Sequence, residues 1–421
     1  MKSLNILLLL GLISSLFSAP GDLIWRYKTG DEVRSSPYNT KEAIYVGSND
    51  NCIYAIKCSD GNLIWRYQTG GEVYSSPYVS DGAVYVGSLD HYLYAINATD
   101  GVIKWRYKLG GVIESSPCIS DGVVYIGSND YYLYAVDIMN GTLKWKYQTN
   151  GVISSSPCVF DGNVYVGSLD FYLYAVNASD GILKWRYKTE REVYSSPCIS
   201  DGVVYFGSGD KHLYAVNASD GTLKWRYGTS WIYSSPCVSD GVVYIGGSTD
   251  HYLYAVNSSD GTLKWRYEAG WIQSSPYVSD GVVYIGSSDQ HLYAINCSDG
   301  AFKWRYKTDD GVSSSPCVSD GVVYVGSNDT YLYAIETYGY NGFKNNKTAS
   351  SLPSPSLSIS PNPFTTHLSV SLPSSGAIYS LTGQLIMKLY KGKHSLDTSS
   401  WREGVYILKA GKETKRIVKI K

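Results

Sequence analysis

Eight aspartates recur at one place in a repeated text and are the first candidates for acid–base or metal chemistry: Asp50, Asp90, Asp130, Asp170, Asp210, Asp250, Asp289 and Asp329. A calcium site would need several of these carboxylates to converge on one ion. Equal copies at equal spacing argue instead for turn capping, with each carboxylate accepting hydrogen bonds from nearby backbone N–H groups. His91 and His251 directly follow two of the aspartates, whereas His212 and His291 lie one place further along. They share no common geometry and form no metal-ligand pattern. The eight cysteines are the other candidates. Cys118, Cys158, Cys198, Cys237 and Cys317 share one position after Ser-Ser-Pro, and equivalent strands of neighbouring units should diverge beyond the ~7 Å Cα limit for a disulfide. Cys52 and Cys58 lie along one strand. All read as small buried apolar residues. No Ser-His-Asp set, Gly-rich phosphate loop or Cys-x-x-Cys occurs. Asn97, Asn177, Asn217, Asn257 and Asn296 each begin Asn-x-Ser/Thr, and they read as turn residues ahead of Asp-Gly.

The elements that position these residues follow from the repeat. Tryptophans fall at 25, 65, 105, 145, 185, 225, 265 and 304, a spacing of 40 with a final 39. The Ser-Ser-Pro prolines fall at 37, 77, 117, 157, 197, 236, 276 and 316. Each unit holds four short apolar or alternating runs. The first leads from Ser-Ser-Pro to an Asp-Gly; Val-Val-Tyr-Ile-Gly-Ser and Tyr-Leu-Tyr-Ala-Val follow; a second Asp-Gly precedes Leu-Lys-Trp-Arg-Tyr. Asp-Gly between two such runs is a strong hairpin signal. Four antiparallel strands in ~40 residues make one blade of a propeller.

The chain begins this text with a lone Trp strand, Asp22 to Thr29, and ends it with a unit lacking one, Ser313 to Glu336. If the first strand completes the last unit, eight blades close with no sheet edge left at the seam. Seven or nine blades would leave an orphan strand.

Ala95-x-Asn97-x-x-Asp100-Gly101-x-x-x-Trp105 resembles the tryptophan-docking motif of pyrroloquinoline-quinone-like (PQQ-like) propeller repeats, and its spacing recurs from Ala55, Ala135, Ala175, Ala215, Ala255 and Ala294. The resemblance covers residues 21–337. It implies that Trp25, Trp65, Trp105, Trp145, Trp185, Trp225, Trp265 and Trp304 are structural, each packed between blades against small residues of a neighbour. It also raises the quinoprotein dehydrogenases. Those enzymes carry long insertions, a calcium site, a catalytic Asp and adjacent paired cysteines, none of which this sequence matches. No cofactor is therefore expected, PQQ with calcium entering only under that alternative.

The ends of the chain supply addresses. Lys2, the apolar run Leu4 to Phe17 and the small Ser18-Ala19 read as a secretory signal peptide over residues 1–19. Residues 338–357 turn to Asn, Ser, Pro and Lys and read as a linker. Beyond it come Pro361-Asn-Pro-Phe, Tyr379-Ser-Leu-Thr-Gly383, Gly404-Val-Tyr and the basic end Arg416-Ile-Val-Lys-Ile-Lys, on short alternating strands. Together these resemble the C-terminal sorting domain of the type IX secretion system of Bacteroidetes. The resemblance implies a small β-sandwich over residues 358–421 that engages the secretion machinery. The expected location is secreted or at the outer cell surface, after signal-peptide export to the periplasm.

Net charge is -1, with lysine and arginine spread through the repeats, so neither a nucleic acid nor an anionic membrane surface is an expected partner. No transmembrane segment is expected in the mature chain, which should be a monomer. Comparing the eight copies with one another places variation in the fourth-to-first loops and second-to-third turns, on one face of the ring. There Arg34, Tyr74, Glu114, Tyr194, Trp231, Tyr233, Trp271 and Gln273 form a mixed aromatic, amide and charged set, suited to a polar ligand. The expected fold is all-β, an eight-bladed propeller plus a C-terminal sandwich. The expected function is a non-catalytic, exported or cell-surface binding or scaffold module recognising a glycan or protein. The alternatives are a PQQ-dependent dehydrogenase-like enzyme and a scaffold of the outer-membrane assembly type, the latter disfavoured because no lipobox cysteine follows the signal peptide.

Overall fold

The structure, a computed structural model, describes residues 19–337 and seven strands between residues 358 and 419. The expected signal peptide, apart from Ala19, the linker 338–357 and the Pro361-Asn-Pro-Phe motif lie outside the described residues. The chain divides into two compact units, Met1–Asn341 and Gly342–Lys421. No described residue is helical, and so none lies in a helix long and apolar enough to cross a membrane.

In the first unit each repeat folds as one four-stranded antiparallel sheet, giving eight sheets in all. Blade 3 is representative, with strands Cys118–Ser120, Val123–Gly127, Tyr132–Asp137 and Leu143–Gln148. The second strand is buried along its whole length, which is why Val-Val-Tyr-Ile-Gly reads as a continuous apolar run. The fourth alternates exposed and half-buried residues, as an outer strand should. The first hairpin turns on Asp121-Gly122, both at positive φ (49° and 74°), the backbone of a type I′ turn. A bulge between Ala135 and Val136 brings Trp145 opposite Ala135, and it recurs in the other blades.

Closure is as expected. Leu23–Lys28 pairs antiparallel with Tyr331–Glu336 and completes the eighth sheet. The Gly21 N–H donates to the Glu336 carbonyl at 2.8 Å, carrying the pairing past the strand end.

Two devices hold neighbouring blades together. The Trp65 indole N–H of blade 1 donates to the Ala98 carbonyl of blade 2 at 2.9 Å, and the Tyr45 hydroxyl donates to the same oxygen at 3.0 Å. The indole lies on Gly101, where a Cβ would stand 2.8 Å from Trp65 Cδ2. At the seam Gly21 takes this place beneath Trp304. Each of the eight tryptophans lies in this way against a glycine of the following blade. The second device lies nearer the axis. Each second serine of Ser-Ser-Pro donates its backbone N–H to the hydroxyl of its counterpart in the next blade, from Ser36 to Ser76 onward and from Ser315 back to Ser36.

The second unit holds a sheet of Ser358–Ser360, His367–Leu372 and Gly392–Asp397, and another of Leu385–Leu389, Gly376–Ser380, Gly404–Ala410 and Glu413–Lys419. Ile378, Tyr406 and Leu408 are buried, on two neighbouring strands of the larger sheet.

Candidate ligand-binding face

The face that varies among the copies is built on a fixed frame. Each loop entering a blade carries one apolar residue that is at most 1% exposed: Val33, Val73, Ile113, Ile153, Val193, Ile232, Ile272 and Val312. Each packs on a glycine of the preceding blade; a Cβ on Gly47 would lie 2.3 Å from Val73 Cγ1. With that middle residue buried, its two flanking residues stand at the mouth of the channel. The serine that follows is pinned too: the Gly47 N–H donates to Ser35 Oγ at 2.7 Å.

The recurrent aspartates belong to the same frame. Asp90 Oδ1 accepts from the Tyr92 N–H at 3.0 Å, and Oδ2 accepts from the Tyr94 hydroxyl and the Gly70 N–H, both at 2.6 Å. The equivalent tyrosine bond recurs at all the other aspartates. Seven of the eight carboxylates, all but Asp289, also accept from the neighbouring loop and so fasten their own turn to it. Burial, then the bond to Asp90, raises the Tyr94 phenol pKa well above its usual value. The rings of His212 and His291 bond to Asp210 and Asp289 of their own turns. Among the described residues no group of three or more His, Cys, Asp or Glu could hold a metal ion. All eight cysteines are free. Burial pushes the Cys158 and Cys317 thiols up to about 12.

The expected site residues fall into separate groups. Tyr194 and Tyr233 pack with ring centroids 5.1 Å apart, and Trp231 lies 6.2 Å from Tyr233. The Arg191 guanidinium sits 5.6 Å from the Trp231 ring. Trp271, on the loop entering the following blade, is 42% exposed and offers a bare indole surface. Gln273, also exposed, follows it on the same loop. Further round the ring, Arg34 is ion-paired with Glu32 at 2.6 Å and lies over Tyr74 at 5.7 Å. Burial and a hydrogen bond to Glu72 push the Tyr74 phenol up to about 12. Glu114 faces the Asn129 amide nitrogen at 3.5 Å.

One set of residues on this face escaped sequence reasoning. Directly after each recurrent aspartate stands a residue at positive φ, between 67° and 77°: Asn51, His91, Tyr131, Phe171, Lys211, His251, Gln290 and Thr330. Glycine or asparagine would hold this backbone at least strain, and other types cost roughly 1 kcal/mol or more. Here the types differ from blade to blade, and Tyr131 and Phe171 are exposed. The signal was present as a variable position after an invariant Asp, but its left-handed backbone was not.

A polycarboxylate quinone with calcium does not fit these residues. The recurrent aspartates are spent on backbone and phenol donors, and Arg34 is neutralised by Glu32.

Three family models match the chain. One described as the β-propeller of β-alanine-activating enzyme covers residues 79–277, and one described as outer membrane protein assembly factor BamB covers residues 11–76 and 228–339. The third, a secretion system C-terminal sorting domain, covers residues 358–420. No curated protein sequence matches significantly. Among solved structures, BamB from Moraxella catarrhalis is similar at 18% identity and a TM-score of 0.67, over 75% of this chain and 99% of that one. The computationally designed Ika8 protein is similar at 16% identity and a TM-score of 0.69, again over 75% and 99%. A europium-containing methanol dehydrogenase is similar at 13% identity and a TM-score of 0.65, over 73% of this chain and 85% of that one. At these identities the likeness is one of fold.

Proposed function

From a chain that is a PQQ-like repeat β-propeller followed by a type IX C-terminal sorting domain, we propose a non-catalytic binding module, exported to the cell surface or medium, that holds a polar partner on its variable face. The sorting domain marks the chain for export and implies engagement with the type IX machinery. One observation carries the binding reading. The groups that build the face are constant in kind around the ring: a buried Val or Ile, Ser-Ser-Pro, and a saturated Asp. The residues they present differ from loop to loop, from Arg34 and Tyr74 to Trp231 and Trp271. Constant support with varied display suits recognition.

The poor fit of a quinone and calcium supports the non-catalytic half of this reading. The test has two arms on the full exported chain. Incubation with PQQ and calcium followed by a dye-reduction assay should give no turnover; turnover overturns that half. Binding to a panel of oligosaccharides and peptides should be lost in the variant Tyr194→Ala/Trp231→Ala/Tyr233→Ala/Trp271→Ala. Binding that survives these changes sinks the assignment to this face.

A further inference from the structure

The variable face is polarised. The loops entering blades 8, 1, 2 and 3 carry Asp309, Asp310, Asp31, Glu32, Glu72 and Glu114, with Arg34 the one cation on these loops and Arg26 of an outer strand 3.9 Å from Asp309. The loops entering blades 6 and 7 carry Trp231, Tyr233 and Trp271 and no charged residue, and the loop entering blade 5 carries Tyr194 beside Glu190, Arg191 and Glu192. In a ring of eight sheets, blades 1 and 2 lie across the channel mouth from blades 5 and 6. An acidic arc thus faces an aromatic arc. We propose that this face docks a cationic polypeptide segment laid across the mouth, its Lys or Arg side chains on the acidic arc and its apolar side chains on the aromatic arc.

The inference rests on the reading of this face as a binding surface and names the partner. Its strongest support is Arg34. The acidic arc already seats one guanidinium, 2.6 Å from the Glu32 carboxylate and 5.7 Å from the Tyr74 ring centroid. That is the chemistry an incoming arginine would meet, a carboxylate beside a ring face. The carboxylates are also held in place. The Asn49 and Asn129 amide nitrogens lie 3.5 Å from Glu32 and Glu114, while both Oδ1 atoms are buried without a hydrogen-bond partner. Glu114 of the acidic arc is among the charges that, after burial and Glu192 of its own loop, raise the Tyr194 phenol pKa.

Charge decides between partner classes. The acidic arc carries six carboxylates and one loop cation, so charge favours a cationic ligand there, whereas a neutral sugar gains nothing from it. A ligand that engages both arcs must bear both kinds of side chain. An alternating polypeptide provides them.

The test titrates the full exported chain by calorimetry with a peptide of alternating arginine and leucine, its glutamate–leucine counterpart, and a neutral β-glucan oligosaccharide. The arginine peptide should bind. Its affinity should fall by roughly tenfold or more in Glu32→Gln/Glu72→Gln/Glu114→Gln and should weaken as salt rises. The opposite-face variant Lys224→Gln/Lys264→Gln should bind as the native chain does. No binding of the arginine peptide, equal binding of the glutamate peptide, or full affinity in the triple variant overturns the proposal. Oligosaccharide binding that needs Trp271, without arginine-peptide binding, would overturn it while leaving the face a binding surface. Quinone-dependent turnover with no ligand on the face would remove both.

Discussion

The backbone N–H of Ser315 donates to Ser36 Oγ at 3.0 Å, joining residues 279 positions apart. This bond is the last link of a hydrogen-bonded circuit through all the blades, and it spans the seam where the two ends of the propeller meet. The seam therefore has the same inner fastening as every other junction. It has the same outer one too, with Trp25 of blade 8 donating to the Cys58 carbonyl of blade 1 at 2.9 Å.

Ser36→Ala should orphan the Ser315 N–H and lower stability by about 1 kcal/mol, the usual net worth of such a bond. Ser156→Ala removes the hydroxyl that accepts from the Ser116 N–H, an internal link of the same kind. Urea unfolding of both variants should give similar losses. A much larger loss for Ser36→Ala would mean that the seam is the weak junction.

Two glycines separate tryptophan docking from backbone strain. Gly82 and Gly101 both sit at positive φ, 69° and 75°. A Cβ on Gly82 meets nothing within 4 Å, whereas one on Gly101 stands 2.8 Å from Trp65 Cδ2. Gly82→Ala should cost about 1 kcal/mol from backbone alone. Gly101→Ala should cost roughly 1–3 kcal/mol more, the range for overpacking. Equal midpoint shifts in denaturant would show that the indole yields freely.

Alkaline pH should unfold the propeller through its buried phenols. Burial and Asp289 push the Tyr293 phenol from 10.0 up to about 12. The folded state thus holds this proton more tightly than the unfolded chain does. Its stabilisation is complete below pH 10 and is lost as pH rises through about 12. Phenolate absorbance and circular dichroism should change together in that window. Full tyrosine ionisation with the fold intact would contradict this.

The thiols should stay silent until the protein unfolds. With Cys158 and Cys317 pushed up to about 12, almost no thiolate exists near neutrality. A thiol reagent at mildly alkaline pH should label neither in the native chain and both in denaturant, as read by mass spectrometry.

Much of this protein was legible in its sequence because each blade is a local object. Asp-Gly turns, alternating strands and a spacing of 40 specify a sheet before any distant contact forms, and counting strands at the ends specified the closure through Leu23–Lys28. The variable face was legible too, since four antiparallel strands oblige the second-to-third and fourth-to-first connections to share one side. The tertiary structure alone decided what those loops do with their residues. The burial of Val73 against Gly47 turns Glu72 and Tyr74 to the mouth, and the saturation of Asp90 removes it from chemistry. The placing of acidic loops across from aromatic ones likewise arises only when the ring closes. Sequence fixes what is set by neighbours along the chain. Which loops stand opposite each other is set by the curvature of eight packed sheets, and no single repeat contains that information.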